Sequence, residues 1–219
     1  ATPDAFLREF EKIGREDDGA VVITLSSKFS GTYQSAVIAA EEFENIYVVD
    51  SGSATVGSGI LAELALSLAR SGLSAGEIAG ELERAKEKII VVALVDTLEY
   101  LKKGGRISKT AAIAGTVLNI KPVLSLIDGS INMLGKARGS KQGNNLLVQE
   151  IEKAGGVDFL KPVLLGYTGL SNALLLKYIE DSRGLWENGL KEIRYTPVGS
   201  VVGTHVGPGA VAVAFFKNN

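Results

Sequence analysis

The sequence predicts an α/β protein with two unequal sheets: a small parallel layer in the N-terminal part and a larger mixed sheet after it. Three observations carry that expectation. Two strand–polar loop–helix units follow one another directly near the start, the pattern of a parallel layer with ligand groups at its strand ends. Beyond residue 85 come strand-like runs at 89–95, 122–127, 130–136, 162–167, 192–202 and 210–216. The second and third of these are joined by Asp128-Gly129, a strong hairpin signal, so the later sheet is at least partly antiparallel.

Taken in order, Thr2-Pro3-Asp4 opens a helix over 3–15, with threonine as cap, proline at the first helical position and acid in the first turn. A chain that begins on a helix cap without methionine reads as cut from something longer. Ala20-Val21-Val22-Ile23-Thr24-Leu25 is a continuous apolar run, typical of a buried parallel strand. A polar loop from Ser26 to Gly31 leads into a helix over about 31–43, with Ser30 placed as its cap. Ile46-Tyr47-Val48-Val49 is the next strand, Asp50 to Thr55 its polar loop, and a helix then runs to about Arg70. Ser71-Gly72-Leu73-Ser74 breaks the pattern, and Ser74 caps a charged helix over about 75–88. The domain boundary is expected within 71–85, giving an N-terminal domain of 1–75 and a C-terminal domain of 76–219. Helical stretches at 96–103, 108–119, 140–154 and 171–183 complete the second part. Neither low-complexity segments nor repeats are present.

Composition narrows the chemistry. A formal net charge of −2, with no lysine or arginine run, gives no reason to expect nucleic acid. The absence of cysteine excludes disulfides and thiolate chemistry and is compatible with a reducing cytoplasm. With a single histidine as well, a zinc site is not expected. No apolar stretch approaches the roughly 20 residues of a membrane span, so no stable membrane insertion is expected. There is no Gly-x-Gly-x-x-Gly after either early strand and no phosphate-binding loop. A triad of His205, Asp50 and a loop serine lacks the Gly-x-Ser-x-Gly elbow that would support it.

Four constellations remain. His205, the lone histidine, lies in Gly203-Thr204-His205-Val206-Gly207-Pro208-Gly209, where glycine allows close approach to a ligand and proline fixes a turn. Taken alone it reads equally as a satisfied histidine at a strand end. Ser26, Ser27, Ser30 and Thr32 crowd one helix mouth, more hydroxyls than capping needs and attractive to a carboxylate or phosphate; serines also simply cap helices. Gly104-Gly105-Arg106 presents an arginine whose planar fork suits an oxyanion, although Gly-Gly with Lys102 and Lys103 also describes an ordinary helix end. Lys136, Arg138 and Lys141 leave the hairpin as a basic cluster, either a solvated surface or a docking patch for an acidic or phosphate-bearing partner.

In this order the segments resemble the DegV family of bacterial fatty-acid-binding proteins. The carrying residues run from Ile23-Thr24-Leu25-Ser26-Ser27-Lys28-Phe29-Ser30-Gly31-Thr32-Tyr33-Gln34-Ser35-Ala36 and Val49-Asp50-Ser51 through Leu98 to Ser108. They continue in Ile120-Lys121-Pro122-Val123-Leu124, Asp128-Gly129, Lys136-Ala137-Arg138 and His205-Val206-Gly207-Pro208-Gly209-Ala210. The resemblance implies a two-domain DegV-like fold, with an N-terminal parallel layer and a C-terminal six-stranded mixed sheet flanked by helices; the six runs after residue 85 agree in number. It implies one long-chain fatty acid, such as palmitate, bound with its carboxylate at the domain junction. The carboxylate ligands carried over are Ser30, Arg106 and His205, with Ser26, Ser27, Thr32 and Ser53 as further head-group candidates. A fourth family ligand, a threonine in a Thr-Ser-Gln motif, would fall just before Ala1. The resemblance also implies roughly 60 further residues ahead of Ala1, whose loss would leave a strand edge open.

The expected role is that of a cytoplasmic, non-catalytic subunit, without cofactor or metal, that presents the carboxylate to an ATP-dependent fatty acid kinase for acyl-phosphate formation. Burying about 15 methylenes at roughly 0.8 kcal/mol each gives on the order of 12 kcal/mol before ordering costs, enough to need no strong base or metal. The helix around Ile113, Val117 and Leu118 is the candidate acyl-chain wall, and an ordinary core helix is its other reading. Lys136, Arg138 and Lys141 are the candidate partner patch. The competing readings are a hydrolase built on Ser30 and His205, a phosphotransferase related to dihydroxyacetone kinases, and a small-anion sensor.

Overall fold

The computed structural model describes residues 1–15, 19–107, 119–187 and 189–218. Helix α1 (Pro3–Arg15) leads into strand β1 (Ala20–Thr24), α2 (Thr32–Ala40), β2 (Ile46–Asp50), α3 (Val56–Arg70) and α4 (Ala75–Ala85). Strand β3 (Ile89–Leu94), helix α5 (Glu99–Lys103), the hairpin of β4 (Ile120–Ile127) and β5 (Ser130–Arg138), and α6 (Gly139–Lys153) follow. The chain closes with β6 (Leu164–Tyr167), α7 (Ala173–Asp181), α8 (Arg183–Trp186), β7 (Tyr195–Pro197), α9 (Ser200–Val206) and β8 (Val211–Phe216).

The strands form the two sheets expected. β1 and β2 pair in parallel, Ala20 opposite Ile46 through Thr24 opposite Asp50. The other six strands form one mixed sheet in the order β5-β4-β3-β8-β6-β7, in which β6–β7 is the parallel pair. The hairpin turns on Asp128 and Gly129 at φ of 50° and 71°, the left-handed pair that its two-residue loop requires.

Helix α3 is shared by both sheets. Its Ile60, Leu61 and Leu64 lie one turn apart or adjacent, giving an apolar stripe. That stripe joins Val49 of β2 to Val91, Ala214 and Phe216 of the large sheet in one buried cluster. Beyond the small sheet, α1 and α2 close the outer side, with Phe10, Ala39 and Ile46 buried together. On the far face of the large sheet, α6 and α7 cover Val92, Leu94, Val213, Leu165 and Phe215. The strands of the large sheet are therefore apolar on both faces, which is why they read as unbroken hydrophobic runs.

Several expectations need correction. The strand placed at 192–202 is only Tyr195–Pro197: the Val198 N–H makes the last bond, to the Tyr167 carbonyl, and the chain then turns at the Gly199 cap into α9. His205 therefore sits on the last turn of a helix and not at a strand end. The helix at 31–43 ends at Ala40, and 75–88 divides into α4 and a single tight turn at Lys86–Lys88. α4 packs on β1, β2 and α3. Ser74 does cap it, through a reciprocal capping box with Glu77. The expected helix at 108–119 falls, but for Asn119, outside the described residues.

Candidate functional site

The loop after β1 is tied down before it reaches any ligand group. The buried Ser26 donates its hydroxyl to the Gly129 carbonyl at 2.9 Å, and its N–H bonds the Ser53 carbonyl at 2.7 Å. The small layer is thus pinned to the hairpin turn of the large sheet. Ser30 does not cap α2 as expected: Gly31 holds that position with no side-chain bond. The Ser30 hydroxyl does accept from the N–H of Thr32, the first residue of α2, at 3.3 Å, and it pairs with the Thr32 hydroxyl at 2.8 Å.

Arg106 stands where the double glycine puts it. α5 ends at Gly104, Gly105 takes φ 67°, and the N–H groups of Gly105 and Arg106 return to Lys102 and Leu101, a Schellman closure. The guanidinium then donates from Nε and Nη2 to the Phe29 carbonyl, both at 3.3 Å, and from Nη1 to Gly104 at 2.7 Å. Of its five donors, bonds to the described residues use three. The arginine therefore fastens the Ser30 loop to the end of α5.

His205 reaches the same place from α9. Its Nδ1 lies against Gly104 so closely that a Cβ there would collide with it, and a Cβ at Gly207 would strike the Tyr100 ring. α5 and α9 can cross at this distance only because both positions are glycine. Gly207 also ends α9 with φ 84°.

Ser30, Thr32, Arg106 and His205 all line one cavity of about 370 Å³, within the roughly 300–1,000 Å³ of small-molecule sites. Its remaining walls are chiefly apolar, with Leu25 and Phe29 from the small layer, Leu101 from α5, and Val201, Val202 and Val206 from α9. The floor is a ladder row of the large sheet: Ala93 of β3 pairs with Ala212 of β8, which pairs with Gly166 of β6. Ala93 and Ala212 leave a shallow trough where larger residues would fill it, and Gly166 bounds that trough where Val56 and Val198 come down on its backbone. Thr55, at φ 53°, also lines the cavity, in a conformation that a β-branched residue seldom adopts.

The other head-group candidates separate. Ser26, Ser27 and Ser53 line a second, more polar cleft of about 440 Å³ together with Asp50 and Lys86. There the Asp50 carboxylate accepts from the N–H groups of Ser27 and Gly52. Asp50 and His205 thus belong to different clefts, and the triad is not assembled. Lys136, Arg138 and Lys141 are exposed at the junction of β5 and α6, and they line neither cavity. Ile113, Val117 and Leu118 lie outside the described residues.

Residues that sequence reasoning missed include Leu25, Phe29, Tyr167 and Thr168. Leu25 and Phe29 stand in the loop segment after β1 without a role assigned to them, and Tyr167 and Thr168 close or follow β6 without a motif to mark them. Thr168 is 4% exposed, lines the cavity, and bonds the Gly207-Pro208-Gly209 turn. Among the described residues no group of acidic, histidine or cysteine side chains could hold a metal, and no helix is long and apolar enough to cross a membrane.

Fold and site together define an α/β protein whose two sheets enclose an apolar cavity with a polar cluster at one end. The DegV family model matches residues 1–218. A DegV domain-containing protein of Caldanaerobacter subterraneus is 34% identical, covering 98% of this chain and 76% of that protein. A fatty-acid-binding DegV family protein of Thermus thermophilus is 31% identical, with a TM-score of 0.86 over 99% of this chain and 77% of that one. A stearic-acid-binding protein of Eubacterium ventriosum is 25% identical, with a TM-score of 0.85 over 99% and 76%. The chain belongs to the DegV family.

Proposed function

We propose that the chain binds one long-chain fatty acid in the cavity, with the carboxylate held by Ser30, Arg106 and His205 and assisted by Thr32. The observation that carries this reading is the join of an apolar trough to the chain's single histidine and to an arginine lining the same cavity. The Thermus and Eubacterium relatives, described as binding fatty acid and stearic acid, support it. The tail supplies the binding free energy at roughly 0.8 kcal/mol per buried methylene, and the polar cluster fixes which end stays at the mouth. His205 acts as a hydrogen-bond donor to the carboxylate and not as a base. No catalytic turnover is assigned to the chain itself.

In this reading the carboxylate is presented to an ATP-dependent kinase that forms the acyl phosphate, and Lys136, Arg138 and Lys141 are the patch on which the kinase docks. Their exposure at one corner, away from the cavity, suits a protein partner carrying acidic groups. Solvent extraction with lipid analysis should recover one fatty acid per chain, and purified chain stripped of lipid should take up palmitate. His205→Ala should weaken palmitate binding about tenfold, the scale of one hydrogen bond to a charged group, while leaving the fold intact. A stripped chain that ignores palmitate would sink the proposal. For the kinase step, acyl-phosphate formation by an added fatty acid kinase should fall when Lys136, Arg138 and Lys141 are changed to alanine, with palmitate binding unchanged.

A further inference from the structure

Thr168 holds more than its own position. Its Oγ1 donates to the Gly207 carbonyl at 2.6 Å and accepts from the Ala210 N–H at 2.9 Å. Its backbone adds two bonds, accepting from Gly209 N–H at 3.0 Å and donating to the Ala210 carbonyl at 3.1 Å. One buried residue at the end of β6 therefore clasps the whole segment between α9 and β8. That segment begins two residues after His205. Gly207 and Gly209, both with positive φ, flank Pro208, the one side chain of the turn. α9 is only one short helix, and its Ser200 end is exposed.

We propose that Thr168 is the positioning residue for His205, fixing the end of α9 so that the imidazole stays beside Gly104 and next to the Arg106 fork. This rests on the fatty-acid reading above for its effect on ligand, but its effect on the histidine holds without any ligand. Removing the hydroxyl at constant shape leaves the Gly207 carbonyl and Ala210 N–H unpaired in a buried turn, and the local answer is for the turn to shift. The trough floor at Ala93, Ala212 and Gly166 is untouched, so tail binding persists while head-group fixation loosens.

The test compares Thr168→Val with Thr168→Ser, using palmitate and hexadecanol, which shares the tail and lacks the carboxylate. Thr168→Val should lose affinity for palmitate about tenfold, the scale of one hydrogen bond, and for hexadecanol less than about twofold. Thr168→Ser should retain both. Because the chain has a single histidine, its ring resonances report His205 without ambiguity; in lipid-free protein they should shift in Thr168→Val and not in Thr168→Ser. Equal loss for both lipids, or unchanged ring resonances in Thr168→Val, would overturn the proposal. Should Thr168→Val not fold, Thr168→Cys, with a weaker donor, carries the same comparison. If the unmodified chain binds neither lipid, the function proposed above fails, and the resonances still decide the role of Thr168.

Discussion

The two faces of the large sheet are built from the same strands and do opposite things. On β8, Val211, Val213 and Phe215 point to α6 and α7, and on β3 so do Val92 and Leu94. All are bulky and fully enclosed. The residues between them, Ala93 on β3 and Ala212 on β8, face the cavity and continue to Gly166 on β6. Alternation sends every second side chain to each face, and on the near face small residues leave room only beyond the part that α3 packs, at Val91, Ala214 and Phe216. The proposed binding role needs both: one face to hold the strands in register and the other to leave room.

The largest expected effect lies on the packed face. Phe215 is wholly buried among Val92, Leu147 and Trp186 in that cluster. Phe215→Ala should cost about 3–5 kcal/mol by denaturant unfolding, the range for removing a buried phenylalanine. A loss below about 1 kcal/mol would mean that this face is not the one holding the sheet together.

The hollow face should respond in the opposite sense. Ala212→Leu adds three carbons to the trough floor and displaces about three methylenes of a bound tail. At roughly 0.8 kcal/mol each, that is about fiftyfold in affinity for palmitate. Stability of the lipid-free chain should change by less than about 1 kcal/mol, because the added atoms enter empty space and not a filled core. Strong destabilisation with unaltered lipid binding would erase the distinction between the faces.

How much of this was legible in the sequence follows from the same contrast. The hairpin was marked by Asp128-Gly129, the α5 terminus by Gly104-Gly105, and the α4 start by Ser74, since each depends on local backbone chemistry. Ser30, Arg106 and His205 were named from short segments, and the fold does bring them to one cavity. The trough was not legible. Ala93, Ala212 and Gly166 lie far apart in the chain, and inside apolar runs nothing distinguishes a small residue on a hollow face from one on a packed face. Nor could the sequence separate Ser30 and Thr32 from Ser26, Ser27 and Ser53. That division depends on Ser26 being drawn to Gly129, more than a hundred residues away. Val198 to Val202 misled for a related reason: its three valines read as strand, while the chain leaves the ladder after Val198 and turns at the Gly199 cap into α9.

The smallest expected effect concerns the polar clip that closes the packed face from outside. Asp181 on α7 accepts from Asn144 of α6 at 2.8 Å and pairs with Lys177 at 2.9 Å. These contacts, that with Lys177 foremost, hold its carboxyl below the ordinary value of 3.8, and the Lys177 ammonium is correspondingly raised above 10.5. A carboxylate with a depressed folded pKa contributes stability above its unfolded value and loses it as pH falls through the folded one. The lysine's contribution is present below its unfolded value and is lost as pH rises through the raised one. Both are therefore present across neutral pH. Asp181→Asn should lower stability there by a small margin that shrinks on acidification below the usual carboxylate range, as the native side chain also becomes neutral. Unfolding midpoints of both chains between mildly acidic and neutral pH measure that margin. If it stayed constant with pH, the clip would act through hydrogen bonding and shape alone, and the charge on Asp181 would contribute nothing to how α7 is held on α6.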